Sequence, residues 1–237
     1  PKIVSLYLTH LSTKDVKMST LKRRLVSIGV IHKLKGHYLD TKHPSIIENI
    51  MGIKRRKGSI QKGKKPLLIN NLKKIINVID NKKNEEIKKL RDRSIILIGF
   101  SGGFRRKEIV SLDYEDLDFV EEGLKINLRR SKTDQFGEGF VKGLPYFDNS
   151  QYCPVVSIQK WIEISKINSG ALFRRFTKGS KLSENRLTDQ TVALLIKDYL
   201  RLAGIESRNY SAHSLRSGFA TSAAESGAEE RSIMAMT

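Results

Sequence analysis

Residues 54 to 66 read KRRKGSIQKGKKP, seven lysines and arginines set among glycine and proline with no hydrophobic period of 2 or 3.6. Such a stretch has nothing to bury and cannot run through a core, so the 237-residue chain is expected to fold as two units on either side of it. Like charges in a flexible segment repel unless a partner neutralises them, and a row of phosphates would do so. The expected organisation is a helical first unit over 1–53, a basic linker over 54–66 lying along a polyanion, and a second unit over 67–237.

The same bias runs through the whole chain. Lysine and arginine number 44 against 25 aspartates and glutamates, a formal charge of +19. That excess exceeds what solubility needs and points to a polyanionic partner, double-stranded DNA in the first place. A membrane surface would attract the same charge, but no apolar run approaches the roughly 20 residues that span a bilayer, and no basic amphipathic helix dominates. The chain opens without the apolar core of a secretory signal, and its one cysteine, Cys153, has no internal disulfide partner. A cytoplasmic, nucleoid-associated protein is expected.

Hydrophobic spacing predicts mostly helix. PKIVSLYLTHLS carries Ile3, Leu6, Tyr7 and Leu11 behind Pro1. STLKRRLVSIGVIHKLKG places Leu21, Leu25, Ile28 and Ile31 on one face, with Ser19 as a cap and Gly36 as a stop. A third helix begins at Pro44. In the second unit, INNLKKIINVID and RDRSIILIGFSGGFRRKEIVSLDYEDLDF read as three helices, the middle one buried. GLKINLRRSKTDQFGEGFVKGLPY reads as a small antiparallel sheet with a loop over 131–139. Helices resume in CPVVSIQKWIEIS, LTDQTVALLIKDYLRLAG and HSLRSGFATSAAESG. The fold class is mainly α with a small antiparallel β-sheet, an α+β chain.

Two phosphate-binding patterns do not hold up. GSIQKGKK has the spacing of a P-loop, but Lys65 stands where a Ser or Thr must hold magnesium, and no buried strand precedes it. GEGFVKG misses the dinucleotide pattern by one position. His32, His37 and His43 have no cysteine partner and match no standard metal spacing, so no metal is expected.

Transfer of a phosphodiester develops negative charge on its non-bridging oxygens, which planar guanidinium groups clamp through paired, charge-assisted hydrogen bonds. Arg105 and Arg106 follow Gly102 and Gly103 at a helix start, where free N–H groups favour an anion. Arg216 sits in the first turn after a Ser211 cap, with His213 one turn away on the same face. Each of these has a plainer use, as a partner for Glu108 or as a helix-start residue. Together with Lys132 in the sheet loop they form a set that an ordinary core has no reason to contain.

Four stretches in this order, GGFRRKEIVSLDYEDLDF, RSKTDQFGEGFVKGLP, LFRR and SAHSLRSGFATSAAESGA, resemble the catalytic domain of the tyrosine recombinases, the phage-integrase family. The resemblance covers about residues 66–237, and the helical first unit resembles that family's core-binding domain with its first helix missing. It implies catalytic roles for Arg105, Glu108 as a supporting carboxylate, Lys132 as the hairpin general acid, His213 and Arg216. It also implies no metal and no nucleotide cofactor. The expected DNA contacts are Lys54, Arg55, Arg56, Lys57, Lys62, Lys64, Lys65, Arg106, Arg129 and Arg130.

In that family the nucleophilic tyrosine follows a Gly-His pair further downstream than the 21 residues that come after Arg216 here. All seven tyrosines, at 7, 38, 114, 146, 152, 199 and 210, precede the HxxR motif. The expectation is a recombinase or integrase of a phage or mobile element, seen as a fragment that binds DNA without cutting it. It would be a monomer by itself and a homotetramer on DNA at full length. Two alternatives stay open: a type IB topoisomerase-like enzyme, and a truncated, non-catalytic DNA-binding protein.

Overall fold

The computed structural model describes residues 1–14, 16–58, 63–83, 85–129 and 139–237. They form two compact units, Pro1–Gly63 and Lys64–Thr237.

The first unit is three helices, α1 (Lys2–Thr13), α2 (Met18–Leu34) and α3 (Pro44–Lys57). Val4, Leu8 and Leu11 recur at helical spacing on α1 and bury against Leu21, Ile46 and Ile53. Polar groups add to the α1–α3 seam: Asn49 Nδ2 donates to Ser5 O at 2.6 Å, and Thr9 Oγ1 to Asn49 Oδ1 at 3.0 Å. Leu8 and Leu21 are fully buried, and truncating either to alanine would cost about 2–5 kcal/mol.

Local details depart from the sequence reading. Lys17, not Ser19, stands at the start of α2. Ile31 is exposed, because at 3.6 residues per turn it falls roughly 80° around the helix from Leu21, beyond the buried stripe. Gly36 does follow the helix end, at φ +73°. His43 caps α3, its ring accepting the Ser45 N–H at 3.2 Å. The basic residues Lys54 to Lys57 are the last turn of α3 rather than the opening of a linker, and Gly58 at φ +72° follows them. Cations are favourable at a helix C-terminus, and two of these side chains are held: Arg56 donates to Ser12 Oγ at 3.0 Å and Lys57 to Val16 O at 3.1 Å.

The second unit begins with α4 (Ile69–Asn81), α5 (Glu86–Ser101) and α6 (Arg106–Ser111). Strands β1 (Leu117–Val120), β2 (Gly123–Leu128) and β3 (Phe140–Pro145) then make an antiparallel sheet in that order. After α7 (Pro154–Ser165), β4 (Arg174–Phe176) and β5 (Leu182–Arg186) pair as a small ladder. Helices α8 (Asp189–Leu202), α9 (His213–Glu225) and α10 (Glu230–Met236) follow. The chain is thus mainly helical with small antiparallel sheets, the α+β class expected.

Helix α5 is the hub. Residues 94–100 are all buried, and it packs on α4, α7, α8 and α9. Its first half carries Arg91 and Asp92 into the interior, where Arg91 Nη2 donates to Asp92 Oδ1 at 2.7 Å and Tyr199 Oη donates to Asp92 Oδ2 at 2.8 Å. Burial and the Asp92 carboxylate push the Tyr199 hydroxyl far up, so it stays a donor. Trp161, fully buried, donates Nε1–H to Leu172 O at 3.0 Å.

One element differs from the helical reading of YEDLDF, and a further pair of strands falls where the sequence shows no apolar period. Leu117–Val120 is a strand, held by its register with β2, Leu117 opposite Ile126 through Val120 opposite Gly123. β4 and β5 are also strands, mostly polar and half-exposed, a pattern with no apolar alternation to reveal them.

Candidate active site

The site is assembled at the end of α5. Gly102 N–H donates to Ile98 O at 3.0 Å, and Gly103 turns the chain at φ +56°. A β-carbon at Gly103 would sit 3.0 Å from the carbonyl of Met236, so both conformation and space call for glycine. Phe104 is fully buried and anchors the turn, which delivers Arg105 to the head of α6.

Arg105 and Glu108 close on each other. The Arg105 N–H donates to Glu108 Oε2 at 2.8 Å, and Arg105 Nη1 donates to Oε1 at 2.7 Å. One carboxylate therefore caps α6 and orients the guanidinium. Glu108 is 5% exposed while the Arg105 side chain keeps 29%, so the arginine presents an open edge.

Arg216, 8% exposed on α9, reaches the same turn and donates Nη1–H to Gly103 O at 2.8 Å. Burial first, then Arg105, pushes its guanidinium down from the ordinary value, with Glu108 opposing. Glu108 holds the Arg105 guanidinium and the Gly103 carbonyl holds that of Arg216, so two cations stand at one turn, an arrangement that can receive an oxyanion. His213 is the first residue of α9 and is exposed, three positions before Arg216. The helix start is not capped by Ser211 as expected. Ala212 occupies the cap position, and Ser214 Oγ accepts the Ser211 N–H at 2.9 Å, so the turn closes in the reverse sense.

The peptide before α9 is strapped down by residues 64–67. Lys65 N–H donates to Asn209 O at 2.8 Å, Leu67 N–H to Ser214 O at 2.9 Å, and Lys64 Nζ to Arg208 O at 2.5 Å. Leu67 is fully buried, and a β-carbon on Gly218 would collide with its carbonyl, so α9 and the strap lie in backbone contact.

Sequence reasoning missed Lys142. It lies on β3, 3% exposed, with Nζ donating to Gly102 O at 2.6 Å and to Met236 O, and 4.6 Å from the centre of the Phe104 ring. Burial, with Arg216 and Arg105 adding to it and Glu108 opposing, pushes it down to about 8. Strand parity was the available signal: Lys142 shares an inward face with Leu144, a position where lysine is unexpected.

Of the expected set, Arg105, Glu108 and Arg216 come together and His213 stands on the same helix. Lys132, Arg130 and Lys62 lie outside the described residues. Arg106 pairs with Asp189 at 3.1 Å, and Arg129 with Asp116 at 2.7 Å and Asp113 at 3.2 Å. Both arginines remain about half-exposed or more.

The sequence profile of the phage integrase family matches residues 66–237, the part of the chain that holds this pocket. The chain belongs to the phage integrase family. Among relatives of this family, an integrase/recombinase xerD homolog of Selenomonas ruminantium is 35% identical over 240 residues, spanning all of this chain and 69% of that protein. Tyrosine recombinase XerA of Pyrococcus horikoshii is 28% identical over 169 residues, covering 71% of this chain and 50% of its own length. The chain thus spans about half of that second relative.

Solved family folds agree. The XerH site-specific recombinase, in a pre-cleavage complex with its difH substrate, superposes with a TM-score of 0.59 at 18% identity, over 94% of this chain and 63% of that one. The Tn1549 transposon integrase, in complex with transposon right end DNA, gives 0.68 at 15% identity, over 98% and 75%.

Proposed function

We propose that this chain is the DNA-binding and phosphate-activating part of a site-specific recombinase or integrase of a phage or mobile element, which cuts and rejoins strands through a 3′-phosphotyrosyl intermediate. The observation that carries the reading is the convergence of Arg105 and Arg216 on the Gly103 turn, braced by Glu108. The family match, and the DNA complexes in which XerH and the Tn1549 integrase were solved, support it.

In this mechanism the scissile phosphate lies against the open edge of Arg105 and the N-terminal end of α9. The two guanidiniums stabilise the charge that grows on the non-bridging oxygens as the phosphorus becomes pentavalent. His213, exposed at the head of α9, contacts the same phosphate. Lys132 protonates the departing 5′ oxygen as the P–O5′ bond breaks and the oxygen of a tyrosine bonds to phosphorus, the phenolic proton passing to water, so the 3′ phosphate ends on the tyrosine. The phosphotyrosyl link conserves the bond energy, so attack by another 5′ hydroxyl reseals the strand without ATP or metal. Lys54, Arg55, Lys64, Lys65 and the other basic residues named above hold the flanking backbone, and the working assembly is a homotetramer on two duplexes.

A nicked suicide duplex tests this with the chain expressed together with whatever its reading frame encodes beyond Thr237. A covalent adduct surviving denaturation is expected, and Arg105→Ala or Arg216→Ala should abolish it while most DNA affinity remains. An adduct that forms in the double variant would remove the two arginines from the chemistry.

A further inference from the structure

Lys142 and Arg216 hold successive carbonyls of one turn. The ammonium from β3 takes Gly102 O at 2.6 Å, and the guanidinium from α9 takes Gly103 O at 2.8 Å. The chain then reaches Arg105 two residues later. Lys142 also holds the Met236 carbonyl at the end of α10, so three separate elements meet at its Nζ.

We propose that Lys142 is a positioning residue of the phosphate pocket, fixing the Gly102–Gly103 turn so that Arg105 stands with Arg216, and placing behind them a buried third positive charge that a bound oxyanion neutralises. This rests on the proposed function, because it takes the two arginines as an oxyanion site.

Among the described residues, the charged groups acting on Lys142 are Glu108 on α6, which favours its charged form, and Arg216 on α9 and Arg105, which oppose it. From β2 the residue opposite is Ile126, and α10 offers the Met236 carbonyl. One carboxylate against three cations leaves excess positive charge where water screens little. Without an anion the third charge is held weakly, which agrees with the fall of Lys142 to about 8. An oxyanion between the arginines reverses the balance and draws a proton onto Lys142, and by reciprocity the protonated form binds the oxyanion more tightly. A lysine that merely tied backbone together would leave oxyanion binding indifferent to its proton.

Calorimetric titration with sodium sulfate tests this, since sulfate keeps its charge from pH 6 to pH 10 and any proton exchanged belongs to the protein. At pH 8, in buffers of different ionisation enthalpy, the chain should take up protons as it binds sulfate. Its affinity should fall about fivefold or more from pH 7 to pH 9.5. Lys142→Met should bind at the weak limit throughout, with no uptake. Lys142→Arg, which does not titrate in this range, should also show no uptake and covers the case in which the methionine variant fails to fold. Uptake that persists in either variant, or sulfate binding by the unaltered chain without uptake, overturns the proposal. If sulfate binding is lost in Arg105→Ala and Arg216→Ala but ignores Lys142, the pocket stands and Lys142 leaves it. Sulfate binding indifferent to both arginines, or no binding at all, overturns the pocket together with the role of Lys142.

Discussion

Arg216 donates to the carbonyl of Gly103 across 113 positions of sequence, at 2.8 Å, so one arginine of the pocket holds the turn that delivers the other. Arg216→Lys should therefore fail in two ways. An ammonium cannot keep a fork on a phosphate while holding Gly103 O. In the adduct assay the lysine variant should behave nearly as the alanine variant does, and a rate within tenfold of the parent would contradict the shared role.

Among the described residues, Glu108 is the one carboxylate acting on the three cations Arg105, Lys142 and Arg216. Breaking a buried pair by removing one partner costs about 3–5 kcal/mol, and Arg105 is partly open, so Glu108→Gln should lose less, about 1–3 kcal/mol in urea unfolding. Sulfate should stabilise this variant more than the parent, because the anion takes over the missing charge.

Lys142 makes stability depend on pH. Its folded-state value, about 8, lies below the ordinary 10.5, so between the two the unfolded chain binds more protons than the folded one. Stability should rise with pH through that window, and the gain should disappear as pH falls through 8. Lys142→Met should flatten this part of the profile, as read from denaturation midpoints between pH 7 and 10.5.

Gly218 lies against the Leu67 carbonyl, so Gly218→Ala must push α9 and the strap apart. Overpacking of this kind costs about 1–3 kcal/mol. Amide exchange should speed up at Leu67, whose N–H is held by Ser214 O, before it does so in α5.

Tyr199→Phe leaves Asp92 Oδ2 buried without the hydroxyl it accepts from. Hydrogen bonds to charged groups contribute about 1.5–3 kcal/mol, and thermal unfolding should show a loss in that range.

How far the sequence could be read depended on whether a signal was local. The HSLR spacing in α9 and the GGFR turn were legible because they lie within one helix turn or one loop. The fold class followed from apolar periods that the structure keeps in α4 and α8; on α1 it buries Val4 and Leu8 with Leu11 and leaves Ile3, Leu6 and Tyr7 exposed. Lys54–Lys57 looked like a linker because charge hides helix, and their helical state is visible only through the dipole and the contacts of Arg56 and Lys57. Ser211 looked like a cap by composition, yet Ser214 already closes that turn. β1 depends on its partner for definition, and Lys142 on a tertiary meeting of β3, the Gly102 turn and α10, which no window of sequence contains.

The strap at 64–67 has a mechanical meaning. Its hydrogen bonds run to Asn209 and Ser214, on either side of the peptide that leads into His213. A pull on the basic segment upstream would load those bonds before it reached the core around α5. The strap is thus a tether on the start of α9, and tension on it would be registered first at the geometry of His213 and Arg216.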